Sequence, residues 1–139
     1  MISGNTLDDF PNLVVNTMKI MIVDDHAGMR ATIRQLISAP GDSVMECGSG
    51  TEALQAFEHF RADCVTVDIS MPGTCAFTTI RTIREQHPVA RVICVTSHDV
   101  SDFRQQAYEA GASGFVLKDN LSDLYLLVAT KRLLANLTV

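Results

Sequence analysis

The sequence has 139 residues, the length of one ordinary domain with a single hydrophobic core. Apolar residues make up 47% and charged residues 19%, a composition typical of a globular protein and not of a disordered one. The longest uncharged stretch, 69–80, is shorter than the roughly 20 residues of a membrane span. Sixteen acidic residues against eleven basic ones give a net charge of −5, which disfavours direct binding of nucleic acid.

The first 17 residues stand apart from the pattern that follows. They include Asp8 and Asp9 and no basic side chain, so they do not form an ordinary secretory signal, and we expect a cytoplasmic protein. Met18 immediately precedes the first apolar run. We therefore expect residues 1–17 to be an N-terminal extension and residues 18–139 to be the folded domain, with no room for a second one.

The four cysteines have neither a CxxC pair nor a histidine at zinc-finger spacing. We expect free thiols in a reducing compartment, most of them buried as small apolar residues. Only Cys75 lies in a Pro- and Gly-rich segment, where an exposed thiol is expected; the other three are Cys47, Cys64 and Cys94.

Five short apolar runs alternate with longer helical patterns. The runs predict strands at 20–23, 44–45, 65–67, 92–95 and 115–117. Apart from Thr66, the runs are continuous, as in strands that are covered on both faces. Five βα units predict an α/β fold with a doubly wound parallel sheet and helices on both faces.

Helical periodicity fills the intervals between the runs. The five apolar stripes are Met29–Ile37, Ala53–Phe60, Phe77–Ile83, Phe103–Ala110 and Leu124–Leu134. We expect Pro88 to stop the third helix and Gly111 the fourth.

Polar residues follow four of the apolar runs directly. They are Asp24 and Asp25, Asp68, Thr96 with Ser97, and Lys118. The carboxyl ends of parallel strands lie along one edge of a sheet, where ligands bind, so these side chains are expected to meet at one rim. Four segments with complementary chemistry indicate a functional site and not residues that merely end strands.

The charge of this rim favours a bound cation. Asp24, Asp25 and Asp68 contribute −3 and Lys118 contributes +1. Two carboxylates about 4 Å apart repel by about 4 kcal/mol at an effective dielectric constant near 20. Oxygen ligands favour Mg²⁺ or Mn²⁺, which would bring the sum to zero. A phosphoryl group could then approach, and a carboxylate oxygen could attack it to form an aspartyl phosphate.

Four segments together resemble the receiver domain of two-component response regulators. They are Met21–His26, Val67–Gly73, Val95–Ser97 and Gly111–Lys118, and the resemblance covers residues 18 to about 136. The first and last of them are most similar to receivers that precede a helix-turn-helix domain. The resemblance implies a flavodoxin-like (βα)5 fold with strand order 2-1-3-4-5, and a signalling switch that is not a classical enzyme.

The resemblance also implies a role for each residue of the rim. Asp68 would accept a phosphoryl group from a phosphohistidine of a sensor histidine kinase or a histidine phosphotransfer protein. Lys118 would pair with Asp68 and then with the phosphoryl oxygens, to which Thr96 would hydrogen-bond. The Mg²⁺ ligands would be Asp24, Asp25, Asp68 and the backbone carbonyl of Ser70.

Three further positions match regulatory positions of the family. Phe115 would be the switch aromatic, while Ser70 and His98 would tune hydrolysis of the aspartyl phosphate. A downstream protein would bind the face made by the fourth helix, fifth strand and fifth helix, and a phosphorylation-dependent homodimer is a further option. The protein would take part in its own phosphorylation and dephosphorylation.

The sequence departs from the family pattern at three points. Ala76 stands where many members have Gly, and Asp119 stands where many have Pro, so no cis-proline can follow Lys118. We expect no output domain after the fifth helix. Two alternatives to a phosphorylated single-domain switch therefore stay open: a pseudo-receiver that signals without phosphate, and the regulatory half of a DNA-binding transcription factor.

Several other features have simpler explanations. Gly48–Ala53 fits the dinucleotide pattern G-x-G-x-x-A, but Ser49 and Glu52 also form a capping box that opens the second helix. We expect His26 to be a polar residue at a helix entry and not a metal ligand. Four arginines are expected on exposed helix faces: Arg30, Arg34, Arg81 and Arg84.

Overall fold

The computed structural model describes residues 16–71, 75–97 and 101–137. Within them, five strands form one sheet: β1 (Lys19–Val23), β2 (Ser43–Cys47), β3 (Cys64–Val67), β4 (Arg91–Thr96) and β5 (Gly114–Leu117). The helices are α1 (Ala27–Ile37), α2 (Gly50–Phe57), α3 (Ala76–Gln86), α4 (Ser101–Ala110) and α5 (Leu121–Leu137), with a short 3-10 turn at Lys118–Asn120. All five predicted βα units are therefore present.

All strand pairs are parallel, and the strand order is β2-β1-β3-β4-β5. This order confirms the predicted flavodoxin-like fold. In the register of the central strands, Val23 lies beside both Cys47 and Val67. The residues that follow these strands therefore leave the sheet at the same level, which places their side chains along one edge.

The helices cover the two faces of the sheet unequally, with α2, α3 and α4 on one face and α1 and α5 on the other. Met21 and Val23 belong to the core under the first group, whereas Ile20 and Ile22 belong to the core under the second. Both faces of a central strand are thus apolar, which explains why its sequence is a continuous apolar run.

The predicted helix boundaries have clear local causes. At the start of α2, the Oγ atom of Ser49 accepts a hydrogen bond of 3.1 Å from the backbone of Glu52, whose carboxylate accepts one of 3.0 Å from Gly48 N. These bonds confirm the capping box. The Gly48–Ala53 segment therefore forms the start of a helix. Beyond α4, Gly111 has φ of +112°, a conformation that favours glycine and stops the helix.

Two predictions about exposure were wrong. The sequence pattern puts Leu134 on the apolar stripe of the fifth helix, but this residue is 44% exposed, whereas Leu124 and Val128, nearer the start of α5, are buried in the core. Arg30 and Arg84 do not lie on freely exposed faces. Arg84 donates to the carbonyls of Pro88 and Ala90, and Arg30 contributes to the site described below.

The predicted burial of three cysteines and exposure of the fourth are confirmed. Cys47, Cys64 and Cys94 are buried, and burial raises the pKa of their thiols to about 11, 12 and 12. Cys75 is exposed. Over the described part of the chain, no helix combines the length and the apolar character that crossing a membrane requires.

Candidate functional site

The ends of β1, β3 and β5 bring three charged side chains together at one edge of the sheet. Asp24 follows β1, Asp68 follows β3 and Lys118 follows β5, and their side chains are 1%, 3% and 11% exposed. Backbone hydrogen bonds continue the sheet to this point, because Asp68 N donates to Val23 O at 2.9 Å. The predicted meeting of these residues is therefore observed.

Lys118 bridges the two buried carboxylates. Its ammonium nitrogen lies 2.9 Å from Oδ2 of Asp24 and 3.1 Å from Oδ2 of Asp68. Burial lowers the pKa of Lys118, but the contacts with the two carboxylates outweigh it, so this pKa lies above its ordinary value. Lys118 therefore stays protonated and offsets one of the negative charges.

The other oxygen of Asp68 is held by the residue two positions later. Oδ1 accepts hydrogen bonds from the backbone N of Ser70 at 2.9 Å and from its Oγ at 2.8 Å. The same Oγ lies 3.3 Å from Oγ1 of Thr96, which is fully buried at the end of β4. A chain of hydroxyls thus links Asp68 to β4.

Asp25 is the more open member of the acidic pair, with 32% of its side chain exposed. His26 lies at the N-terminal boundary of α1, as predicted, but its side chain makes no capping hydrogen bond. Its Nδ1 atom lies 3.0 Å from Oδ1 of Asp25 and 3.4 Å from Oδ1 of Asp24. These contacts with the carboxylates were not predicted.

The acidic residues fit a divalent cation. Ligand atoms of Asp24, Asp25, His26 and Asp68 all lie within 4.8 Å of one another. Oδ2 of Asp24 is buried, with the ammonium of Lys118 2.9 Å away. Three carboxylates beside this ammonium leave a net negative charge that a further cation can neutralise, and oxygen ligands suit a hard ion.

Arg30 supports this edge of the sheet from α1. Its Nη1 atom donates to the backbone carbonyl of Asp24 at 2.6 Å, and its Nε donates to Glu46 at 3.0 Å. Arg34 reaches the other oxygen of the same carboxylate at 3.1 Å. Sequence reasoning missed this arrangement, although Glu46 interrupts the apolar run of β2 and so indicates a partner.

Phe115 lies on β5 in the core beneath α4 and is 8% exposed. The guanidinium of Arg104 lies over its ring, 4.6 Å from the ring centre. Beside it, a groove of about 360 Å³ runs between α4, β5 and α5, with Tyr108 and Leu126 among its lining residues. The last of the predicted site residues, His98, lies outside the described residues.

A family model for the response regulator receiver domain matches residues 20–129. The chain belongs to this family. Its segments Met21–His26 and Gly111–Lys118, which carried the resemblance, fall inside the matched range. The protein is thus a receiver domain of two-component signalling.

Individual relatives support the same assignment. The receiver is 35% identical over 104 residues to the nitrate/nitrite response regulator protein NarP of Escherichia coli K12, covering 73% of this chain and 48% of NarP. It is 31% identical over 116 residues to the chemotaxis protein CheY of Bacillus subtilis, covering 83% of this chain and 97% of CheY. The chain therefore spans about half the length of NarP and nearly all of CheY.

A solved structure shows the same fold. The crystal structure of a LuxR-family two-component response regulator from Aurantimonas sp. SI85-9A1 matches with a TM-score of 0.71 and 34% identity. The match covers 83% of this receiver and 87% of that chain.

Proposed function

We propose that this receiver is a phosphorylation switch in which Asp68 accepts a phosphoryl group. The observation that carries the proposal is the position of Asp68: a nearly buried carboxylate held by Lys118 on one oxygen and by Ser70 on the other. Such a carboxylate is oriented for one attack direction. Positioning of this kind supplies much of the catalysis of phosphoryl transfer.

The donor would be a phosphohistidine of a sensor histidine kinase or of a histidine phosphotransfer protein. A carboxylate oxygen of Asp68 forms a bond to phosphorus while the bond from phosphorus to the imidazole nitrogen breaks. The electron pair of that bond leaves with the imidazole. Lys118 moves from the carboxylate to the phosphoryl oxygens, and Thr96, 3.3 Å from Ser70 Oγ, turns its hydroxyl toward the same oxygens.

Asp24, Asp25, Asp68 and the backbone carbonyl of Ser70 would hold Mg²⁺, with Mn²⁺ as a substitute. The bound ion supplies charge neutralisation for the incoming phosphoryl group. With Lys118, the four charged side chains sum to −2. A divalent cation brings this sum to zero, and the carboxylates no longer repel an anionic donor.

The lifetime of the aspartyl phosphate would depend on Ser70 and His98, which lie two residues beyond Asp68 and Thr96. The Oγ atom of Ser70 already contacts the acceptor carboxylate at 2.8 Å. It therefore lies where it can direct or obstruct an attacking water molecule. Receiver domains are signalling proteins and not classical enzymes, and this hydrolysis would only limit the duration of the signal.

The phosphorylated receiver would pass its signal on by binding a partner through the face formed by α4, β5 and α5. Its groove is bordered by Tyr108 and Leu126, which are 46% and 59% exposed, and Phe115 also lines it. Exposed apolar side chains around a groove are typical of protein-binding surfaces. A downstream protein, or a second phosphorylated copy, would bind here.

The proposal is tested by incubating the receiver with acetyl phosphate and Mg²⁺ and measuring its intact mass. The wild type is expected to gain the mass of one phosphoryl group, and Asp68→Asn is expected to gain none while keeping its circular dichroism spectrum. Omission of Mg²⁺ is expected to abolish the gain. A folded wild type that stays unmodified would instead support a pseudo-receiver that signals without phosphate.

A second candidate role is the regulatory half of a longer transcription factor. It is favoured by the match to NarP, of which this chain covers only 48%. The match to CheY, of which this chain covers 97%, favours the single-domain role. An immunoblot of the source cells with an antibody against this receiver would separate the two, because a band near 15.2 kDa fits the single-domain role and a much larger one fits the transcription factor.

A further inference from the structure

A second groove, separate from the phosphoacceptor edge, lies between α1 and α5. It encloses about 470 Å³. Its walls are mostly apolar, and Tyr125 and Leu133 are 51% and 64% exposed along it. The lining also includes Leu36, Ile37, Pro40 and Val128. Exposed apolar side chains along a groove are typical of a binding surface.

The start of the described chain is fixed at one end of this groove. The backbone carbonyl of Asn16 accepts a hydrogen bond of 2.8 Å from Arg132, and the Asn16 side-chain amide donates to the Arg132 carbonyl at 3.3 Å. Thr17 packs so closely on Gly41 that a Cβ there would lie 2.7 Å from its methyl group. Arg132 itself lines the groove, so the described chain begins at the groove's end.

We propose that residues 1–15 of this chain bind in the α1–α5 groove as an intramolecular strap. The half of this segment that is nearest to Asn16 is suitably apolar, because it contains Phe10, Leu13, Val14 and Val15. Residues 10–15 can extend over about 20 Å. The groove from Arg132 to Tyr125 follows about 10 Å of α5, so the segment reaches all of it.

The direct connection favours this occupant over a second copy of the receiver. A segment attached at the edge of its own site has an effective concentration in the millimolar range. A second copy at micromolar concentration would have to compete with it. The acidic pair Asp8 and Asp9 precedes the apolar residues, so it can stay in water beyond the groove while the apolar side chains are buried.

The absence of tryptophan from the chain allows a direct test by fluorescence. Tyr125→Trp places an indole in the groove, and Leu126→Trp places one at the next position, which lines the α4–β5–α5 groove instead. Each is made in the full chain, with and without the pair Phe10→Asp and Leu13→Asp. Acrylamide quenching and the emission maximum are then measured at several protein concentrations.

The strap predicts that Tyr125→Trp is protected from quenching at every protein concentration and loses both protection and its blue-shifted emission when Phe10 and Leu13 become Asp. Leu126→Trp is expected to respond equally in the two backgrounds, which also shows that the Asp pair leaves the domain folded. Equal quenching of Tyr125→Trp in both backgrounds would overturn the proposal. Protection that disappears on dilution would overturn it too, in favour of a second copy.

A second measurement does not depend on the Asp pair. A nitroxide is attached to Asn5→Cys in a Cys75→Ser chain, where the other thiols are buried. The strap predicts that it broadens the indole NMR signal of Tyr125→Trp more than that of Leu126→Trp. Equal broadening of the two signals would contradict the strap.

Discussion

At the residue scale, the charge of the site is only partly compensated. Lys118 lies within 3.1 Å of both buried carboxylates, Asp24 and Asp68. Within the described residues, no lysine or arginine is in salt-bridge contact with Asp25, and its neighbour His26 is largely exposed. Without a metal, the remaining repulsion acts mainly on Asp25 and is partly screened by water. A substitution of Asp25 can therefore change the stability of the protein and its metal binding while Asp68 stays in place.

Asp25→Ala is expected to raise the free energy of unfolding of the metal-free protein by about 1 kcal/mol, because it removes repulsion from the site. It should also reduce the stabilisation that millimolar Mg²⁺ gives the wild type, because Mg²⁺ stabilises only the state that binds it. Thermal melts with and without Mg²⁺ measure both effects. Glu85→Ala is the matched control, since it removes one exposed carboxylate from α3. If Asp25→Ala responds to Mg²⁺ as strongly as this control, Asp25 is not part of the metal site.

Arg30→Leu is expected to weaken Mg²⁺ binding severalfold, because the arginine donates to the carbonyl of Asp24 and so orients the turn that carries the acidic pair. The loss of about 1 kcal/mol is that of a typical hydrogen bond. Arg34→Leu is the matched control: Arg34 shares the Glu46 carboxylate but has no contact with the turn. Calorimetric titration with Mg²⁺ measures both. Equal affinities in the two variants would show that Arg30 only packs against β2.

At the scale of elements, the strands were predictable where both of their faces are buried. β1, β3 and β4 are central and read as continuous apolar runs, whereas β2 is an edge strand with half-buried residues and gave a weaker signal. The end of α5 was not predictable, because a period of 3.6 residues places Leu134 on a stripe without saying where the sheet stops. Its exposure depends on packing that only the fold determines.

The carboxylate of Asp42 connects α5 with the residue before β1 and with the loop after α1, at the opposite edge of the sheet from Asp68. Its side chain is fully buried, and it accepts hydrogen bonds of 2.8 Å from Met18 N and Ala39 N. Arg132 of α5 binds both of its oxygens, at 2.8 and 2.7 Å. Burial raises the pKa of Asp42, but the arginine and the backbone donors outweigh it, so this pKa lies below its usual value. This ion pair could not be predicted from the sequence pattern, because Asp42 and Arg132 lie 90 positions apart.

Asp42→Asn is expected to lower the free energy of unfolding by about 3 kcal/mol at pH 7, because it leaves Arg132 without its buried partner. A lowered pKa in the folded state means that the stabilisation is present above the unfolded-state pKa near 4 and is lost as pH falls below it. The difference between wild type and variant should therefore shrink between pH 4 and pH 3 in urea titrations. Asp63→Asn, which loses a backbone contact with Lys19 but no arginine, should cost less. A difference that stays constant over this range would contradict the assigned pKa direction.

At the scale of the whole molecule, β5 connects the site with the α4–β5–α5 face, because Phe115 lies on β5 and Lys118, which follows β5, lies 3.1 Å from Asp68. In the proposed switch, phosphorylation would replace the charge of −1 on Asp68 by about −2, so a site neutralised by Mg²⁺ would become about −1. Thr96, a buried residue at the end of β4 whose hydroxyl lies 3.3 Å from Ser70 Oγ, would follow the new oxygens. Phe115 lies on the neighbouring strand and would fill the space that Thr96 vacates.

Phe115→Ala is expected to be phosphorylated at close to the wild-type rate but to transmit less change to the output face, because it lacks the ring that occupies that space. Amide exchange over residues 101–130, with and without beryllofluoride as a phosphoryl mimic, measures the transmitted change. Phe77→Ala is the control, because it removes a half-buried ring from α3 in the same core. Equal protection changes in wild type and Phe115→Ala would make Phe115 an ordinary core residue.

The part of the site that could be predicted from the sequence consists of the residues that directly follow strands. Parallel register alone brings Asp24, Asp68 and Lys118 together. The contacts of Ser70 and Arg30 depend on side-chain directions within turns and on a neighbouring strand. A linear pattern does not contain that information, and the geometry of the site has to be observed.

The most direct measurement of the central claim is the position of the phosphoryl group. The receiver is phosphorylated with acetyl phosphate and Mg²⁺ and then treated with borohydride, which reduces an aspartyl phosphate to homoserine. Peptide sequencing by mass spectrometry is expected to find homoserine at position 68 and aspartate at positions 24 and 25. Homoserine at position 24 or 25 with an intact Asp68 would contradict the account.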